Sequence, residues 1–124
     1  MRALILLPLI LSASATATAQ GGRAQTVEVQ LSSFDFTPDT IQLHAGQPTV
    51  LHLVNNGNGG HNFSAPDFFA AATDVSGPVR EGTIEVPGHQ TVDVRLTPAS
   101  GTYRLRCTHT LHTTFGMSGE IVVH

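Results

Sequence analysis

Lysine and tryptophan are absent from this chain of 124 residues, and cysteine and tyrosine occur once each. A single cysteine excludes an intramolecular disulfide, so the fold cannot be a small stapled scaffold. Charge is sparse: six arginines stand against nine acids, and charged residues make up 12% of the sequence. Nucleic-acid binding requires a basic face, which this balance does not supply. The one long apolar run, residues 3–11, is too short to span a bilayer as a helix, which takes about 20 residues.

That run is a targeting signal. Met1-Arg2 gives a positive start, the apolar run follows, and Ala17-Thr18-Ala19 has the small-x-small pattern cut by a signal peptidase. We therefore expect residues 1–19 to be a signal peptide and 20–124 a single mature domain. Its location would be periplasmic or otherwise extracytoplasmic. Loss of Arg2 leaves five arginines and nine acids, a mature charge of 5 − 9 = −4 with histidine neutral. About 105 residues are enough to bury one core without covalent staples.

The mature stretch reads as short strands joined by Gly/Pro turns. Residues 26–31 alternate strictly, with Val27, Val29 and Leu31 on one face. Residues 34–37 continue extended until Pro38 turns the chain, and 40–44 alternate again. Residues 49–55 are almost continuously apolar, which predicts a strand covered on both faces. Residues 56–60 are loop-like and lead into His61. Residues 67–72 suit one or two helical turns after Pro66, and 73–81 read as irregular. Strands are expected at 83–86, 91–96, 102–107 and 120–123. In 102–107 the alternation sets Tyr103, Leu105 and Cys107 on one face and Arg104 and Arg106 on the other. Cys107 should thus point into the core at a strand end. The fold class is all-β, a sandwich of two sheets with about seven to eight strands.

The chemistry concentrates at residues 107–117. This stretch holds the only cysteine, two of the seven histidines and the only methionine besides Met1. Read as Cys-x4-His-x4-Met, it offers a thiolate from Cys107, an imidazole from His112 and a thioether from Met117. Such a set suits a soft, redox-active metal: copper takes a thiolate and two imidazoles in a trigonal arrangement with a weak axial thioether. His61, delivered by Asn58-Gly59-Gly60, can supply the second imidazole. His109 competes with His112, but only His112 keeps the x4 spacing to Met117. His44, His52, His89 and His124 lack partnered spacing and read as ordinary strand, turn or terminal residues.

This pattern resembles the type 1 (blue) copper site of the cupredoxins, the family of plastocyanin, azurin and rusticyanin. Phe34-x-Phe-x-Pro38, Gly46, Asn55 to His61, Gly101-x-Tyr103-x-x-x-Cys107 and Gly116-Met117-Ser118-Gly119 all follow the family's rhythm. The resemblance implies a Greek-key sandwich. It implies one type 1 copper ion held by His61, Cys107, His112 and Met117. It also implies one-electron transfer with transient redox partner proteins, by a monomer without nucleic-acid or membrane-spanning roles. Asn62 would tie the His61 loop to Thr108. Leu111, Phe115, Phe63 and Pro66 would form an exposed apolar patch around His112.

Other readings stay open on the residues alone. Cupredoxin-type oxidases flank their cysteine with histidines in His-x-His pairs, and Cys107 lies between Arg106 and Thr108 with no such pair. Catalysis is therefore not expected. A binuclear copper entry site would need two cysteines. A periplasmic copper chaperone or buffer would use the same metal without electron transfer, and a metal-free adhesion-type sandwich would use none. Zinc also accepts a thiolate with imidazoles.

Overall fold

The computed structural model describes residues 23–109 and 116–124. Among them ten strands form two five-stranded mixed sheets. In chain order these are β1 (Gln25–Ser32), β2 (Asp35–Thr37), β3 (Thr40–Leu43), β4 (Thr49–Val54), β5 (His61–Ser64), β6 (Thr73–Ser76), β7 (Thr83–Val86), β8 (Thr91–Thr97), β9 (Gly101–Arg106) and β10 (Ser118–Val123). One short helix, α1 (Pro66–Ala71), follows β5. The first sheet runs β2-β1-β4-β8-β6 and the second β3-β10-β9-β5-β7. The pairs β1/β4 and β3/β10 are parallel, and the other pairs are antiparallel.

The all-β sandwich is as expected, with more strands than the seven to eight read from the sequence. Three elements account for the difference. Residues 61–64 are a strand rather than the end of a loop; all four are buried between β9 and β7. Residues 73–76 form an exposed edge strand where irregular chain was expected. Residues 35–37 pair with the end of β1. A second correction concerns β4, which alternates buried and half-buried positions instead of being covered on both faces. Its outer side carries His52, bonded to Asp93 of β8 at 2.5 Å.

Inward-facing residues of both sheets make the core: Val29, Leu31, Leu51, Leu53 and Val94 from one, Ile41, Ile84, Leu105 and Ile121 from the other. Few aromatics are present, but they form a chain of edge-to-face contacts. Phe36 meets Phe63 at 6.0 Å, Phe63 meets Phe69 at 6.2 Å, Phe69 meets Phe68 at 5.1 Å, and Phe68 meets Tyr103 at 5.5 Å. Such pairs each add about 0.5–1.5 kcal/mol beyond area burial. Helix α1 exists to deliver Phe68 and Phe69: Pro66 starts it without losing a needed N–H, and both rings are buried. The Tyr103 hydroxyl donates to the carbonyl oxygens of Ala99 and Ser100, fixing the entry into β9.

Candidate metal centre

Three of the four expected ligands lie at one end of the second sheet. His61 opens β5, Cys107 follows the last residue of β9, and Met117 precedes the first residue of β10. These strands are neighbours in the order β10-β9-β5. All three side chains are buried, with Cys107 at 0%, Met117 at 1% and His61 at 3% exposure. The Cys107 N–H donates to the Met117 carbonyl at 3.0 Å, which closes the 107–117 segment at its base. His112, Leu111 and Phe115 lie outside the described residues.

Asn62 joins the two halves of the site. Its backbone N–H donates to Cys107 Sγ at 3.4 Å. Its side-chain oxygen accepts the Thr108 N–H at 2.8 Å, and its Nδ2 donates to Thr108 Oγ1 at 2.7 Å. Asn62 is 2% exposed, so these bonds are made away from bulk water. The expected tie between the His61 segment and Thr108 is therefore present. Phe63 is a correction: it is fully buried in the core and takes no part in an exposed patch. Its place on β5 turns it inward beside Phe36 and Phe69. Pro66 is exposed.

Two further residues were not legible in the sequence. Asn55, 1% exposed, shapes the loop leading to His61: its Nδ2 donates to the carbonyls of Gly59 (2.8 Å) and Val86 (3.0 Å), and its Oδ1 accepts the Gly57 N–H at 3.0 Å. Glu85 of β7 accepts from Asn62 Nδ2 at 3.0 Å and from His109 Nε2 at 3.0 Å. Burial raises the Glu85 carboxyl, but the bonds from Asn62 and His109, with the charge of His109, outweigh it and leave the group below the ordinary glutamate range. The alternation of 83–86 does turn Glu85 outward, yet only the pairing of β7 with β5 brings it to Asn62.

The donor chemistry fits a soft metal. A buried thiol already accepting a backbone N–H, a buried imidazole and a buried thioether share one end of the sheet. Among the described residues no buried side-chain nitrogen or oxygen lacks a hydrogen-bond partner. Among the same residues no group of three or more His, Cys, Asp or Glu forms a separate metal site.

A two-sheet β-sandwich with these residues at one end defines a class that comparison with known proteins makes specific. The chain belongs to the cupredoxin-like domain family, whose model matches residues 3–123. Among solved structures it is similar to auracyanin B, at 25% identity and a TM-score of 0.61, with 87% of this chain and 93% of that chain covered. It is also similar in fold to auracyanin A, described as a "blue" copper protein from Chloroflexus aurantiacus, at 22% identity and a TM-score of 0.61, covering 82% of this chain and 100% of that one. A multicopper oxidase of Aquifex aeolicus shares the fold at 17% identity and a TM-score of 0.65, but this chain spans 31% of it. No curated protein matches the sequence.

Proposed function

We propose that this protein holds one copper ion through His61, Cys107, His112 and Met117, and carries single electrons between partner proteins outside the cytoplasm. The observation that carries the reading is the Asn62 bridge, which locks the segment of His61 to that of Cys107 before any metal is present. A bound copper supplies the one-electron couple. The chain's own residues do the rest. Cys107 offers its sulfur as thiolate, since a coordinating thiol loses its proton. The Asn62 N–H stabilises that negative sulfur. His61 and His112 contribute neutral imidazoles, and Met117 a weak axial donor. Burial keeps water from Cys107 and Met117. A site held this firmly by the fold changes little between oxidation states, which favours fast electron exchange. The small single domain has no room for a second copper cluster, so we assign it no catalysis.

The experiment is the visible spectrum of the copper-loaded protein. An intense thiolate-to-copper absorption is expected, lost on Cys107→Ser, together with electron exchange with a small redox dye. A colourless copper protein that leaves the dye unchanged would replace this reading with that of a copper chaperone or buffer. Export is tested separately: the secreted protein should begin near Gln20. Recovery of intact Met1 in the cytosol would reject a cleaved signal.

A further inference from the structure

The pairing of β5 with β9 raises a problem for the metal site. Ser64 stands opposite Arg106. Continued outward, that register places Thr108 opposite Asn62, as their hydrogen bonds confirm. The next step places His109 opposite His61. Strand alternation would give His109 the same side of the sheet as Cys107, two residues earlier. His109 is also close at hand: its Cε1 lies 3.7 Å from where a Cβ on Gly60 would stand. A second imidazole thus sits beside the ligand set without being required by it.

Its ring is turned elsewhere. Nε2 meets Glu85 Oε2 at 3.0 Å. Glu85 lies between the buried Ile84 and Val86 of β7 and faces outward, with its side chain 64% exposed. The His109 side chain is 37% exposed, against 3% or less for residues His61, Cys107 and Met117 as a whole. An ionised carboxylate only accepts, so Nε2 must carry the hydrogen and has no lone pair for a metal. The same carboxylate accepts from Asn62 through its other oxygen, which fixes it against the bridge.

We propose that Glu85 sets the ligand choice of this centre, holding His109 on the outer face so that it does not displace His112 or His61. Glu85 is a positioning residue, and the inference rests on the copper reading above. Its distinct content is that removing Glu85 matters through His109.

The test uses the full protein loaded with cupric ion alone, in four variants: Glu85→Ala, Glu85→Gln, His109→Ala and the double Glu85→Ala/His109→Ala. Visible absorption and electron paramagnetic resonance are read on each. His109→Ala should keep the wild-type spectrum. Glu85→Ala should shift it or add a second copper species, as the freed imidazole competes. The double variant should return to the wild-type spectrum. Glu85→Gln still accepts from Asn62 and can hydrogen-bond the ring, so it should stay close to wild type. A Glu85→Ala spectrum equal to wild type overturns the inference alone. So does an equal shift in the single and double variants, which would route the effect through Asn62. Loss of the thiolate band in His109→Ala would make His109 a ligand that Glu85 orients, and also overturns it. Wild-type protein that takes up no copper would overturn the copper reading itself.

Discussion

Both amide hydrogens and the carbonyl oxygen of the Asn62 side chain are engaged, by Glu85, Thr108 Oγ1 and the Thr108 N–H. Few single residues in the chain join as many segments. Removing the side chain leaves a hole at a buried position and strands the Thr108 N–H and the Glu85 carboxylate, both able to recover only part of their bonding from water. Asn62→Ala should therefore cost the metal-free protein about 1.5–3 kcal/mol, the range for breaking a small buried hydrogen-bond network. Denaturant unfolding measures it. A loss below roughly 0.5 kcal/mol, the scatter of ordinary surface substitutions, would show that the bridge does not hold the two segments together. Asn62 was readable in advance because it follows His61 directly. Glu85 was not, because nothing in its own segment refers to residues 61–62 or 107–109; its role exists only once β7 lies beside β5.

At the scale of elements, legibility followed wetness. Strands β1, β3, β8 and β9 were plain in the sequence because each has a core face and a solvent face, which imposes the period of two. Strand β5 was hidden because all four of its residues are buried and three of them are polar, so no alternation appears. Strand β6 was hidden for the opposite reason, being exposed throughout. The loop before β5 is held from outside by the turn between β7 and β8. There the His89 N–H donates to the Gly57 carbonyl at 3.0 Å. A Cβ on Gly88 would stand 2.3 Å from the Asn58 carbonyl oxygen, so only glycine lets the two segments close. Backbone atoms on both sides leave no flexible side chain to yield. Gly88→Ala should lower stability by about 1–3 kcal/mol, as overpacking does, and should perturb the copper spectrum because the displaced loop leads into His61. Unfolding midpoints and visible absorption check both effects; an unchanged midpoint would mean that the two loops do not support each other.

At the scale of the whole molecule, the sandwich performs an assembly that the unfolded chain cannot. His61 and Cys107 are 46 positions apart in sequence, yet in the fold the Asn62 N–H reaches Cys107 Sγ. Met117 is brought back by its own backbone bond to Cys107. The parallel pairing of β3 with β10 seats the last strand between β3 and β9, so the chain's end completes the sheet that carries the ligands. Among the described residues the ion pairs, His52–Asp93 and His109–Glu85, lie at the surface, where such pairs contribute about 0–1 kcal/mol. Stability in the metal-free state thus rests on the apolar core and the ladders. A metal held by His61, Cys107, His112 and Met117 binds this folded arrangement and finds no equivalent in the unfolded chain. Linkage then requires it to stabilise the fold by RT ln(1 + [L]/Kd), about 4 kcal/mol at a thousandfold excess over Kd. For a domain of this size that corresponds to a rise in melting temperature on the order of 15–30 °C. Calorimetry with and without saturating copper measures it, and Cys107→Ser should remove most of the rise. Equal melting temperatures for the metal-free and copper-saturated protein would show that the fold does not present these residues as a metal site.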